Sequence, residues 1–571
     1  PLPGSWLEVA LADNSGKTIA KSKCRAARLN NLQLKAKNIR RWSLDDTYLY
    51  NMTTTLTSSG KTIDKSTTKV GLRSLEFDAN KGFALNGKRM KVKGVCLHHD
   101  AGVLGAAVPR AVWKRRLQNI KDLGANAIRM SHNPQAPMVY DLCDQIGLLV
   151  IDEASDEWEF PKRKWVEGWN NGTPAFDGSF DFFEEWIERD VADMVRRDRC
   201  HPSVFLWSIG NEVDYPNDPY SHPVLDGDSI EQPMYGGYKP EAPNAERIGK
   251  IAKRLVNCVK AIDTSRPTTG ALAGVAMSNA TEYPEAVDVV GYNYSDKRYD
   301  IDHETYPGRI IFGSENGRGI ASWRAAEERD FIFGEFVWTG ADYLGEARKW
   351  PCRGLGSGLL GFGSFPNPVG MYFKSLWSEK PMAYIGTCKL DKAGKSANFP
   401  VWNYENGDSV RVTCCTNAAQ ARLLLDGEVV GEAKPYDRQT GVIYWDIPYR
   451  PGRLQVEALN SSGNIVATDE IVTSSTPYAL RATVIDECDD IRHILVEVVD
   501  INGIRVTLAD NNIKCETGEN AALLGLENSN NRDMSPAKSS QRRAYHGRLL
   551  AYIRGSGPVR FSSPLLSPAS L

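Results

Sequence analysis

Residues 203–212 read "SVFLWSIGNE". Val204 to Trp207 and Ile209 make an apolar run without polar alternation, and it closes on Asn211 and Glu212. A short run of this kind reads as a strand buried on both faces, the usual state of a strand in a parallel sheet. Seven more such runs lie around it: "MKVKGV" (90–95), "NAIRMS" (126–131), "GLLVIDE" (147–153), "RPTTGAL" (266–272), "VDVVGYNY" (287–294), "RIIFGSE" (309–315) and "FIFGEFVW" (331–338). Helical stretches separate them. In "FFEEWIERDVADMVRRD", Phe183, Ile187, Val191, Met194 and Val195 recur every three to four residues, which predicts an amphipathic helix. Eight strands alternating with helices match a (β/α)8 TIM barrel. A doubly wound sheet would bring a Gly-rich phosphate-binding turn, and neither GxGxxG nor GxxxxGK[ST] occurs.

On either side of residues 85–385, the expected barrel, helical periodicity disappears. Residues 1–84 alternate and meet Asn-Ser-Gly and Ser-Ser-Gly turns, the pattern of an immunoglobulin-like β-sandwich. Two further β-sandwiches are expected at 386–476 and 477–571, with hairpin turns at Asp426-Gly427, Ser462-Gly463 and Asn502-Gly503. The tail "GSGPVRFSSPLLSPASL" offers no convincing final strand. A length of 571 residues requires several cores. With 42% hydrophobic and 25% charged residues the chain has a globular balance, and a net charge of -2 gives no basic footprint for nucleic acid. No run is long enough for a membrane span. No signal peptide is visible and no initiator Met is present, so the compartment is not read from this end. The 11 cysteines lack CxxC spacing, and their odd number favours reduced thiols.

A barrel carries its chemistry at the C-terminal strand ends. Those ends are polar at nearly every strand: His98-His99-Asp100, Arg129 with Ser131, His132 and Asn133, Asp152-Glu153, Asn211-Glu212, Asn293-Tyr294, Glu315-Asn316, and Trp338 followed by Asp342. One acidic end is commonly a helix cap; a full ring of polar ends is not explained that way. Glu212 and Glu315, on strands four and seven, face each other across the mouth. Glycosidic cleavage needs two such carboxylates, one protonated and one ionised. Asn211 suits a sugar hydroxyl and Trp338 a sugar face. Metal catalysis fits less well, since HExxH is absent and His98 and His99 are adjacent. No GxSxG elbow supports a serine hydrolase. Glu335, on the last strand, is a third carboxylate near the mouth, with a structural ion pair as its expected role.

These motifs resemble glycoside hydrolase family 2 along essentially the whole chain. "RRWSLDDTYLY" (40–50), "FALNGKRMKVKGVCLHHD" (83–100), "NAIRMSHNPQAPMVYDLCDQIGLLVIDEA" (126–154), "HPSVFLWSIGNEV" (201–213) and "IIFGSENG" (310–317) carry the likeness. The resemblance implies Glu212 as general acid/base, Glu315 as nucleophile, and a retaining mechanism. It implies sugar-binding roles for His98, His132, Asn211, Tyr294 and Trp338, and Arg129 is grouped with them. In the family a jelly-roll domain precedes the first sandwich, and this chain is expected to begin inside that sandwich. "WTGADYLGEA" and the two C-terminal sandwiches look most like the β-galactosidase branch, so a β-galactoside glycan is the expected partner and a homo-oligomer stays open. A β-glucuronidase, another glycosidase of modified sugars, or a non-catalytic glycan-binding protein are the alternatives. The acidic magnesium ligand and preceding His of the metal-dependent galactosidases cannot both be matched, so no cofactor, magnesium included, is expected.

Overall fold

The computed structural model describes residues 4–162, 178–227, 237–347, 349–392 and 397–571. Eight parallel strands close into a barrel: β1 (Val92–Leu97), β2 (Ala127–Met130), β3 (Leu149–Glu153), β4 (Val204–Asn211), β5 (Thr268–Leu272), β6 (Val289–Asn293), β7 (Ile311–Asn316) and β8 (Ile332–Val337). Closure is made where Gly334 of β8 pairs with Val92 of β1, which excludes an open doubly wound sheet. Each of the eight runs read from sequence supplies one strand, and β1 is set two residues later than expected. The helix carrying the Phe183 stripe runs Phe183–Asp198 and buries all five stripe residues.

Strand alternation sorts the barrel into two cores. Ala127, Leu149, Ile151, Val289 and Phe312 point to the inner core, while Ile128, Val150, Val290 and Ile311 pack toward the helices. A three-stranded antiparallel sheet, Leu75–Asp78, Gly82–Leu85 and Lys88–Met90, seals the N-terminal end. Its Phe83 meets Phe205 at 5.5 Å between ring centroids, and Phe77 meets Phe333 at 5.6 Å. With that end plugged by aromatic rings, the polar strand ends open at the other.

Register shifts interrupt the alternation at the open end. On β4, the four residues from Ser208 to Asn211 oppose the three from Thr269 to Ala271 on β5, and on β7 the pairing slips between Gly313 and Glu315. Such bulges re-aim side chains. A third shift, on β8, turns Glu335 away from the barrel mouth, which corrects its expected position. Glu335 is fully buried against the helix Tyr299–Thr305, accepts from Asn316 Nδ2 at 3.2 Å, and pairs with no cation among the described residues. Burial pushes its carboxyl up to about 8, opposed by the Asn316 hydrogen bond.

The N-terminal unit is a four-stranded antiparallel sheet spanning Trp6 to Val70, with Leu34, Ala36 and Tyr48 covering Leu11, Ala20 and Tyr50. Trp42 is buried and donates its indole N–H to the Asp144 carbonyl at 2.8 Å, tying this unit to the barrel. Beyond the barrel, sheets of three and four strands enclose Trp402, Val412, Leu423 and Trp445, and two four-stranded sheets follow from Ala479 onward. The tail does form a last short strand, Ala569–Ser570, paired with Val559–Ser562. In that last unit, Glu527 pairs with Arg353 and accepts the Val103 N–H at 3.0 Å, so it grips the β1 and β8 loops. No helix among the described residues is long and apolar enough to cross a membrane. All eleven cysteines are free thiols.

Because the folded pKa of Glu335 lies above its unfolded value, the folded state binds the extra proton between about pH 4.5 and 8. Stability from this group is therefore present at the acidic end and lost as pH rises through that window. Glu335→Gln should raise the melting temperature more at pH 8 than at pH 5, by the equivalent of a few kcal/mol at ~1.4 kcal/mol per pKa unit. An equal shift at both pH values, measured by thermal unfolding, would show that Glu335 is not a buried neutral acid.

Candidate active site

The open end is organised around Arg129 of β2, which has no exposed surface. Alternation places it inward with Ala127. Its Nε donates to Glu153 Oε2 at 3.0 Å and its Nη2 to Glu153 Oε1 at 2.9 Å. Nη2 also reaches Asn211 Oδ1 at 2.7 Å, and Nη1 reaches Glu315 Oε2 at 2.9 Å and the Ser314 carbonyl at 3.0 Å. A guanidinium removed from water is tolerated only with such complete pairing. Burial pushes the Glu153 carboxyl up, but Arg129, His132 and Ser208 together hold it below the ordinary carboxylate range.

Glu212 follows β4 directly. Its φ is +46°, a strained value for a residue with a Cβ, and its N–H donates to the Ala271 carbonyl at 2.8 Å. Asp214 holds this turn by accepting the Ala273 N–H at 2.9 Å, the Gly274 N–H at 3.0 Å and the Ser278 hydroxyl at 2.7 Å. Burial pushes the Asp214 carboxyl up to about 6 despite these bonds. Tyr294 is also left-handed, with φ +52°. Its N–H donates to the Glu315 carbonyl and its hydroxyl to Glu315 Oε1, both at 2.8 Å.

Asn293 of β6 joins the two acids. Its Nδ2 lies 3.1 Å from Glu212 Oε1 and 3.4 Å from Glu315 Oε2, and its own Oδ1 accepts from Ser314 Oγ at 2.7 Å, which fixes the amide orientation. Since one nitrogen reaches both oxygens, they lie within about 6.5 Å of each other, inside the range that brackets the ~5–5.5 Å of retaining glycosidases. Both carboxylates are buried. Burial and the neighbouring Glu212 raise the Glu315 carboxyl, while Arg129, His132 and Tyr294 act in the opposite direction.

Rings form one wall. His132 lies parallel to Trp338 at 5.2 Å, and His98 stacks on Tyr343 at 4.0 Å while meeting Trp338 edge-on at 5.3 Å. His132 Nδ1 is 2.7 Å from Glu153 Oε1, and its Nε2 is 3.8 Å from Glu315 Oε2. The structure thus gathers Glu212, Glu315, Asn211, Arg129, His132, Tyr294, His98 and Trp338 at one end of the barrel. Asp342 is turned inward to accept the Gly358 N–H at 2.8 Å, and burial pushes its carboxyl up to about 7.

Sequence reading named neither Glu153 nor Asn293 as a site residue. Period two would have found both: Leu149, Ile151 and Glu153 share a face, as do Val289, Gly291 and Asn293, whereas Asp152 points out to Tyr140 at 2.6 Å. It also missed Asp156, whose Oδ1 accepts from Asn211 Nδ2 at 2.8 Å and from Lys162 Nζ at 2.7 Å. Among the described residues, one His and carboxylate cluster has spacing close enough for a metal: Asp141, Asp144 and His201. It lies at the sealed end, just before β4. Its inner oxygens are engaged, Asp144 Oδ2 by His201 at 2.7 Å and Oδ1 by the Ser203 N–H at 3.0 Å.

Comparison with known proteins agrees with this geometry. Residues 78–300 match the model for "Glycosyl hydrolases family 2, TIM barrel domain", residues 6–73 match "Glycosyl hydrolases family 2", and residues 479–570 match "Glycoside hydrolase family 2 C-terminal domain 5". Residues 400–467 match a domain of unknown function. The chain is 31% identical to "Beta-galactosidase BoGH2A" of Bacteroides ovatus, over 92% of this chain and 65% of that protein. It is 28% identical to a "Putative beta-glucuronidase" of Formosa agariphila, over 96% of this chain and 54% of that one. It therefore spans between half and two thirds of the length of these relatives. A crystal structure of a family 2 member from Bacteroides cellulosilyticus superposes with a TM-score of 0.82 at 28% identity, covering 99% of this chain and 73% of that one. With a closed barrel, two buried acids at the ends of β4 and β7, and family matches on both flanks, the chain belongs to glycoside hydrolase family 2.

Proposed function

We propose that the chain is the catalytic portion of a retaining exo-β-glycosidase that removes terminal β-D-galactosyl residues. The observation that carries the reading is the Asn293 amide spanning Glu212 and Glu315, which keeps two buried carboxyl groups close enough for double displacement. Like charges so close share one proton. Glu315 accepts from Arg129 and from the Tyr294 hydroxyl, which favours the anion there, while the Asn293 amide is shared by both acids; in this reading Glu212 carries the proton. In the first step a Glu315 oxygen bonds to the anomeric carbon. The bond from that carbon to the leaving oxygen breaks, and its electron pair takes the proton from Glu212. In the second step Glu212 removes a proton from water, the water oxygen bonds to the anomeric carbon, and Glu315 leaves as the carboxylate. Arg129 acts as a positioning group for Glu315 and Glu153, with Asn211, His132, His98 and Trp338 facing the sugar. No step needs a metal.

The galactosyl assignment is supported by the relative named a beta-galactosidase and by the engagement of Arg129 and Lys162, two cations near the acids among the described residues. Arg129 is taken by Glu153 and Glu315, and Lys162 by Asp156 and the Asn211 carbonyl. A β-glucuronide is the second reading. It is favoured by the relatives named beta-glucuronidase and by exposed Arg318, three residues past Glu315.

On a panel of chromogenic β-glycosides, Glu212→Gln and Glu315→Gln should each lower kcat by at least ~100-fold, with the β-galactoside turned over best by the parent chain. Unchanged turnover in either variant would remove that residue from the mechanism and favour a glycan-binding role. Proton NMR of the first sugar released should show the β anomer before mutarotation; the α anomer would replace retention by inversion. Dialysis against EDTA should leave kcat/KM unchanged, and a loss restored by magnesium would reinstate a metal.

A further inference from the structure

Beside the acid pair lies a groove of about 530 Å³, in the size range of small-molecule sites. His132 and Asp156 form its inner end, and Phe182, Phe183, Trp186 and Asp190 its outer part. The groove is continuous with the catalytic end through Asp156, which accepts from Asn211 Nδ2 at 2.8 Å. We infer that this groove binds an uncharged sugar ring of the substrate, attached to the unit held between Glu212 and Glu315. The inference rests on the glycosidase reading above.

Three features point to that ligand. First, the helix Phe183–Asp198 uses Phe183 and Ile187 for its core but leaves Trp186 44% exposed on the groove side, with Phe182 just before the helix 61% exposed beside it. Large rings held open to water at the edge of a polar cavity suit the apolar face of a pyranose. Second, these rings are held in place before any ligand arrives. The Phe180 N–H donates to Glu157 Oε1 at 3.2 Å, fixing the turn that presents Phe182, and the Arg189 guanidinium lies 5.0 Å over the Trp186 ring. Third, the described lining contains no Lys or Arg, while Asp156 and Asp190 supply acceptors for sugar hydroxyls. Among the described lining residues, the charged groups that a uronic or sulfated unit would meet are the Asp156 and Asp190 carboxylates.

The test uses Trp186→Ala with two substrates, methyl β-D-galactoside and β-linked galactotriose. Loss of one aromatic platform should lower kcat/KM for galactotriose about tenfold, mainly through KM, with methyl galactoside unaffected. No change on either substrate, or an equal loss on both, would overturn the groove as a sugar site. Should the parent chain hydrolyse neither substrate, the galactosyl assignment fails first. The groove is then judged by calorimetric binding of galactotriose to Glu315→Gln with and without Trp186→Ala. Weaker binding in the double variant supports it, and equal binding overturns it.

Discussion

A guanidinium with no exposed surface, on β2, governs the chemistry of this barrel. Arg129 stays charged under all ordinary conditions. Glu153, itself held by the Ser208 hydroxyl, satisfies one side of it, and Glu315, Asn211 and the Ser314 carbonyl satisfy the other. One cation therefore fixes the ends of β2, β3, β4 and β7 relative to one another. The arrangement is costly to disturb, because removing one member of a buried ion pair leaves the other charged and dry, at ~3–5 kcal/mol. Electrostatic preorganisation of this kind is in place before a substrate arrives.

The surroundings of the two acids differ, and the proposed division of roles draws on that difference. Glu315 sits against a cation and the Tyr294 hydroxyl, whereas Glu212 sits on a left-handed turn that Asp214 pins to the end of β5. Bulges on β4 and β7 bring both side chains into one space. The strain at Glu212 and Tyr294 is concentrated where the proposed chemistry occurs, as is common for residues whose orientation matters more than local comfort. The flanking sheets act at a distance: Glu527 holds the loop after β8 that brings Tyr343 onto His98.

Much of this was legible in the sequence, because buried parallel strands announce themselves as short apolar runs and their polar ends mark the mouth. All eight strands and both acids could be read that way. Glu153 and Asn293 were also within reach, since simple alternation from Ile151 and Val289 points them inward. Glu335 was not, because a bulge on β8 cancels the alternation that would have aimed it at the mouth. The groove beside Trp186 was hidden for another reason. It combines the first turn of a helix with the ends of β2 and β3, and no local pattern in any one segment encodes that meeting.

The central claim is that Glu315 forms a covalent bond to the sugar. It is tested most directly by incubating the chain with a 2-deoxy-2-fluoro-β-galactosyl fluoride, which slows breakdown of the glycosyl-enzyme, and mapping the adduct by peptide mass spectrometry. A single hexosyl adduct on Glu315, within the peptide Ile310–Arg318, is the expected result. An adduct on Glu212 or Glu153, or inactivation without any adduct, would contradict the account.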